Sequence, residues 1–431
     1  MSALSVAARS RGIRYFLIAY TDLFGTLRSK LVPAGAIDTM AEEGAGFAGF
    51  ATWFDMTPAD PDMLAIPDKA SFIQLPWKPE VAWLAADPVM GGQPVAQAPR
   101  HVLKTMIAKA ETKGLELRIG VEPEFFLISP DGTALADPAD RQPKPCYDQL
   151  TLMRRYDIIA EICDAMEALG WGPYQNDHED ANGQYEMNWA YAPALVTADR
   201  HVFFKYMVRS IAERHGMRAT FMPKPFADLT GSGCHAHVSL WKGEKNVFAG
   251  GDEMGLSDIA RSFLGGVLAH AEGLCALTNP TVNSYKRINA PVTLSGATWS
   301  PSSITWGGNN RTHMIRIPGP GRFEYRLADG AVNPYLLPAA LLAAGLDGME
   351  NATDPGPRLD NDMYATGHTM PDVRRLPLNL LDAIRAFEAD ATLRAALGIP
   401  FAAAFAKLKR QEWDSYMRHL TQWERDATLD C

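Results

Sequence analysis

Alternation of apolar and polar positions recurs in four separated segments of the chain. In a strand, residues i, i+2 and i+4 face one way. Around 122–126, Glu122 and Glu124 share a face. In 184–188, Gln184, Glu186 and Asn188 share one. In 235–240, His235, His237 and Ser239 oppose Ala236, Val238 and Leu240. In 322–326, Arg322, Glu324 and Arg326 oppose Phe323 and Tyr325. Each segment predicts a strand with one apolar face on a core and one face bearing charge or imidazole. Helical spacing takes over elsewhere. It predicts helices over 102–113, stopped by Gly114; over 154–169, stopped by Gly170; and over 197–215, ended by Gly216. Before residue 100 the apolar runs are short, and strands are expected at 14–21, 71–75 and 81–85. The breaker cluster Pro88, Gly91, Gly92, Pro94 and Pro99 marks a domain boundary.

Composition narrows the class. The chain has 431 residues, 47% hydrophobic and 21% charged, enough for two globular units. A net charge of −9 argues against a nucleic-acid partner, which basic stripes would bind. The five cysteines are widely spaced and form no CxxC pair, which suits a reducing compartment. The apolar run at 15–20 is too short for a secretory signal, and that at 335–346, broken by Pro338, is too short to span a bilayer. A cytoplasmic protein without membrane contact is expected.

The charged faces change the picture further. A solvated sheet face would carry Lys, Ser and Thr. Here acids and histidines converge, and converging carboxylates repel one another unless cations intervene. Carboxylate oxygens with an imidazole suit Mg²⁺ or Mn²⁺. Glu179, in the stretch 177–180, adds a ligand. Arg287, Arg311, Arg316, Arg322 and Arg326 fall within 40 residues, in segments rich in Gly and Pro. Guanidinium forks match phosphate and carboxylate. Divalent metals with an arginine cluster are the parts of a phosphoryl-transfer site. No GxxxxGK[ST] loop is present.

These segments, in this order, resemble the glutamine synthetase family over nearly the whole chain. The resemblance rests on Gly120–Phe126, Gly183–Glu186, Lys224–Phe226 with Gly231–Trp241, Asn279–Arg287, Asn310–Arg311, Arg316–Pro318 and Arg322–Arg326. Asp22–Arg28 is consistent with the family's small first domain. The resemblance implies an α+β fold. A small N-terminal β-grasp-like domain would occupy 1–100. A larger catalytic domain, with a curved antiparallel sheet flanked by helices, would occupy 101–431. It also implies ATP-dependent ligation of an amine to the γ-carboxylate of glutamate. Glu124, Glu179 and Glu186 would hold one metal; Glu122, His235 and Glu324 a second. His237, Ser239 and Arg322 would meet ATP. Arg287 and Arg326, with Gly231, would grip glutamate. Arg311 and Arg316 would bind the transferred phosphoryl group. Arg311, Glu186 and Arg326 would be the catalytic set. A ring-shaped homo-oligomer of two stacked hexamers is implied as well.

Three positions depart from the family pattern. The two acids that usually serve the ammonium ion fall, by counting, at Trp299 and Ala48. Asp55 or Asp60 could replace the second. Thr230 stands where Asn usually precedes Gly231. Trp299 and Ala48 suit an alkyl group better than bare ammonium, so methylamine is the favoured amine and Trp299 a substrate residue. Glutamine synthetase itself, using ammonia, is the alternative. A polyamine ligase would want further acids. An inactive paralogue is disfavoured because every expected ligand and arginine is present. Tyr364 sits near where some relatives are adenylylated, but the acidic, Pro-rich sequence expected after it is absent.

Overall fold

The computed structural model describes residues 2–293, 295 and 297–431. Among these, a 10-stranded sheet carries the alternating segments. Its order is Trp306–Gly307, Ile315–Gly319, Arg322–Tyr325, Cys234–Lys242, Glu116–Ile128, Gln184–Trp189 and Pro173–His178, with three short strands pairing off this path. Neighbours are antiparallel except at the edge, where Trp306–Gly307 runs parallel to Ile315–Gly319. The apolar faces pack on helices. Phe125, Tyr185, Ala236, Val238, Phe323 and Tyr325 are all buried. The fold is α+β, as the resemblance implies, and the alternating segments are its strands.

A second, 7-stranded sheet precedes it, in the order Leu27–Pro33, Tyr15–Thr21, Val81–Met90, Met63–Pro67 and Ala45–Phe47, with two short strands off this path. Tyr15–Thr21 and Val81–Met90 pair in parallel, so this sheet is mixed. Val81–Met90 runs on through Pro88, beyond the expected end at 85. Pro88 lies opposite Ala65, and its carbonyl accepts the Val95 N–H at 2.9 Å. The expected strand at 71–75 shrinks to Ile73–Gln74, because Asp68 caps a 3-10 turn over Lys69–Ser71.

Helix boundaries also move. The helix expected at 102–113 is Pro99–Glu111, since proline tolerates the first turn, where no intrahelical N–H bond is needed. The stretch 154–169 is split into Gln149–Arg154, capped by Asp148, and Tyr156–Ala168. The third helix is Ala194–Arg214. The apolar run containing Pro338 becomes Leu336–Glu350, a helix buried on nearly every side with proline in its first turn. Among the described residues, no single helix is long and apolar enough to cross a membrane.

Buried ion pairs tie these parts together. Arg100 is 3% exposed and meets Asp68, before the 3-10 turn, and Asp87 of the 7-stranded sheet at 2.8 Å, and Asp199 of helix Ala194–Arg214 at 3.0 Å. Removing one member of such a network would leave a buried charge without its partner, a loss of about 3–5 kcal/mol. Farther along, His270 bridges Asp390, 2.7 Å from Nδ1, and Asp347, 3.0 Å from Nε2. Burial pushes this imidazole down, but the two carboxylates outweigh it and the net shift is upward. A raised value means that the stabilisation is complete below the unfolded value of about 6.5 and fades as pH rises through the folded one. We therefore predict that the difference in melting temperature between wild type and His270→Gln is largest near pH 6 and shrinks toward pH 9. A gap independent of pH would show that the imidazolium carries none of it.

Candidate active site

Strand register builds the site. Glu186 lies opposite Glu124, and Asp177 lies opposite Glu186. His235 lies opposite Glu122, and His237 opposite Glu324. Directly opposed residues share a face. Five strands thus project acids and imidazoles onto one side, while their alternate residues fill the core. Ligand atoms of Glu124, Glu179 and Glu186 all lie within 4.8 Å of one another. The same spacing relates Glu122, Glu186 and His235, and also Glu122, His237 and Glu324. His235 Nδ1 is 3.5 Å from Glu122 and 3.6 Å from Glu324, so the second expected trio also meets. His237, expected at ATP, has its Nε2 2.8 Å from Glu122 Oε1.

The electrostatics of the acids divide in two. Burial and the neighbouring carboxylates, Glu124 foremost, push Glu179 well above the usual range. Burial, then Glu122, Glu179 and Glu124, do the same to Glu186. Burial also raises Glu122 and Glu324, but there it is overcome. Hydrogen bonds from His235 and His237 hold Glu122 low. Arg326, with the histidines, brings Glu324 to about 2. Carboxylates that resist ionising together fit a hard divalent cation, and an all-oxygen trio with an adjoining oxygen–imidazole set is the donor chemistry of Mg²⁺ or Mn²⁺.

Fixed donors orient the cluster. Glu124 accepts the Gly233 N–H at 2.7 Å and the Gln184 amide at 3.0 Å. Arg316 Nη1 donates to Glu324 at 2.7 Å, and Arg326 donates to its other oxygen. Arg287 is 2% exposed and held by the Leu327 carbonyl at 2.9 Å. A Cβ at Gly231 would stand 2.4 Å from the Pro223 carbonyl, and one at Gly233 2.8 Å from His235 Nε2. Both positions need glycine for the backbone to approach the cluster.

Two cavities meet at Glu122. One, of about 110 Å³, holds all six expected metal ligands together with Gly231, Arg287, Trp299, Arg311, Arg316 and Arg326. The other, of about 400 Å³, holds His237, Ser239 and Arg322 against Tyr174, Tyr191 and Trp241. Arg316, expected with Arg311 at the transferred phosphoryl group, lies on the acidic side. A larger cavity of about 660 Å³ lies at the seam with the first sheet and holds none of these side chains, so size does not mark the site.

The small cavity also contains residues that the sequence reading passed over: Asp177, Cys146, Tyr147 and Gln175. Asp177 Oδ1 is buried without a hydrogen-bond partner among the described residues. Burial, then Glu124 and Glu122, push this carboxyl up to about 6. Trp299 and Tyr147 adopt φ values of +56° and +64°. Such backbone strain in a bulky residue costs about 1–3 kcal/mol and gathers at functional sites. The proposed replacements Asp55 and Asp60 do not line this cavity. Asp55 pairs with Lys407 at 2.7 Å, and Asp60 caps the Thr57 N–H at 2.6 Å. Thr230 donates to Asp180 at 2.6 Å, beside Glu179.

Residues 96–428 match the family described as glutamine synthetase, catalytic domain. The chain belongs to the glutamine synthetase family. It is 64% identical, over 99% of both chains, to a protein of Rhizobium leguminosarum bv. phaseoli named glutamine synthetase. It is 41% identical to the glutamate–methylamine ligase of Methyloversatilis universalis, over 97% of this chain and 96% of that one. A solved structure, "GmaS/ADP complex-Conformation 1", covers 100% of both chains at 66% identity with a TM-score of 0.97. Glutamine synthetase family enzymes use ATP and a divalent metal, and the acidic cluster offers a seat for one.

That seat generates a prediction that does not depend on turnover. Saturating Mg²⁺ at about 100 times its dissociation constant adds roughly 2.7 kcal/mol to folding stability. Wild type should therefore melt at a higher temperature in Mg²⁺, and Glu186→Gln should lose most of that rise. An equal rise in both proteins would remove Glu186 from the cation site.

Proposed function

We propose that the chain ligates a short alkylamine, with methylamine favoured, to the γ-carboxylate of L-glutamate. A glutamate carboxylate oxygen takes the γ-phosphoryl group of ATP, giving γ-glutamyl phosphate and ADP. The neutral amine then attacks the acyl carbon. A C–N bond forms, the bond to phosphate breaks, and the amine gives up its proton. The products are γ-glutamylmethylamide, ADP and phosphate. The reading includes a cytoplasmic enzyme assembled as two stacked hexameric rings.

In this scheme the aromatic-walled cavity of His237, Ser239 and Arg322 takes the nucleotide, with its phosphates toward Glu122. Arg287, Arg326 and the Gly231 backbone hold glutamate. Arg311 and Arg316 face the transferred phosphoryl group, where fixed cations act on charge that develops during reaction. Divalent cations at the acidic trio and beside Glu122, His235 and Glu324 would neutralise phosphate oxygens.

The observation carrying the amine assignment is the floor of the small cavity. The Trp299 side chain, held by a strained backbone, lies in the same cavity as Asp177 with its unpartnered oxygen. The ring gives an alkyl group an apolar wall, and the carboxylate gives the ammonium end a proton acceptor. Ammonia is the second reading, favoured by the name of the 64%-identical relative. A methyl group is worth only about 0.8 kcal/mol when buried, and pocket discrimination at this scale reaches about 10–200-fold.

The test is initial phosphate release with glutamate, ATP and either methylamine, ethylamine, putrescine or ammonium at one pH. Wild type should show a higher kcat/KM for methylamine than for ammonium, and Trp299→Ala should lower that ratio. A wild-type preference for ammonium would give the function to glutamine synthetase. For the proton acceptor, Asp177→Asn should lose about 10²–10⁴-fold in methylamine turnover. It should recover with hydroxylamine, which is already neutral at pH 7. Equal loss with both nucleophiles would remove Asp177 from proton transfer.

A further inference from the structure

Arg311 sits in a turn at the mouth of the small cavity, with its side chain exposed. Among the described residues its guanidinium makes no hydrogen bond, so nothing on the side chain fixes its direction. Its backbone is fixed instead. The Arg311 carbonyl accepts from Arg326 Nε at 3.1 Å and from the Tyr364 hydroxyl at 3.1 Å. The residues on either side are tied to the same remote segment. Asn310 donates to the Asn361 carbonyl at 2.9 Å, and the Met363 N–H donates to the Thr312 hydroxyl at 3.0 Å. Segment 361–364 is thus a brace laid along the turn, with Met363 buried and the Tyr364 hydroxyl on the Arg311 carbonyl.

We infer that Tyr364 is a positioning residue whose hydroxyl, with Arg326, sets the Arg311 peptide and so aims the Arg311 guanidinium at the transferred phosphoryl group. The inference rests on the reading of Arg311 given above. An arginine side chain is long and rich in rotamers, so its reach is set by where its backbone is anchored. A displacement of about 1 Å at a reacting group can cost about 10²-fold in rate. Burial outweighs the opposing effect of Arg326 and Arg287 and keeps the phenol above its ordinary value, so it remains a donor. The hydroxyl that lies near the adenylylated position of some relatives is therefore already bonded to the Arg311 carbonyl.

Tyr364→Phe keeps the ring and removes the donor. We expect kcat to fall by about 10-fold or more toward the 10²-fold limit, with KM for ATP within about twofold and the melting temperature unchanged. The discriminating measurement is a double-variant cycle with Arg311→Lys. Once the guanidinium fork is gone, losing its aim should cost nothing further, so the double variant should match Arg311→Lys alone. Wild-type kcat in Tyr364→Phe would overturn the inference. So would a lowered melting temperature with losses that multiply across the two variants, which marks a merely structural contact. Full activity of Arg311→Lys would instead sink the Arg311 reading. An impaired Arg311→Lys beside a fully active Tyr364→Phe would sink only the role of Tyr364.

Discussion

Crowding of like charge on one sheet face is the constraint on which the rest of the site depends. Glu122, Glu124, Asp177, Glu179, Glu186 and Glu324 line one small space. Carboxylates this close do not all ionise unaided. The surrounding chain deals with part of the problem itself. Arg316 and Arg326 neutralise Glu324, the histidines hold Glu122 ionised, and the Gly233 N–H and Gln184 amide fix Glu124. Among the described residues no such cation meets Glu179 or Glu186, and burial beside other acids leaves them raised. The repulsion left over is what divalent ions would relieve. The same repulsion would turn away a triphosphate arriving without them.

Antiparallel strands suit this crowding, because directly opposed residues bring their side chains onto one face. Antiparallel register sets Glu124, Glu186 and Asp177 in one row, and apolar alternates on the other face hold that row rigid. Of the arginines, Arg316 and Arg322 come from the opposite edge, on Ile315–Gly319 and Arg322–Tyr325, Arg326 follows directly, Arg287 lies on helix Ser284–Ile288 and Arg311 in a turn. Cationic and anionic halves therefore meet across the middle of the sheet. Arg100 joins the 7-stranded sheet to helix Ala194–Arg214 by buried ion pairs.

Most of this row was legible in the sequence, because alternation marked both faces of each strand. Glu122 with Phe125, and His237 with Val238, announced a charged side and a core side. Asp177 was missed for the opposite reason. In Pro173–His178 the alternates of Gln175 and Asp177 are Tyr174, Asn176 and His178, and no apolar face signals a strand. Only pairing with Gln184–Trp189 turns Asp177 inward. The bond from Tyr364 to Arg311 spans 53 residues and leaves no local pattern at all. Helix starts slipped where Pro99 reads as a breaker yet opens a helix. Trp299 was reached by counting against a family pattern. Its strained backbone and its place beside Asp177 are properties of the folded chain alone.

If charge crowding governs the site, nucleotide binding must depend on cations before any chemistry occurs. The direct measurement is the dissociation constant of ADP by calorimetry, without glutamate or amine, in EDTA and in saturating Mg²⁺. The account predicts binding weakened at least tenfold in EDTA, equivalent to about 1.4 kcal/mol, and restored when Mg²⁺ or Mn²⁺ is returned. Equal affinity under both conditions would mean that the acids do not face the phosphates, and would contradict the account.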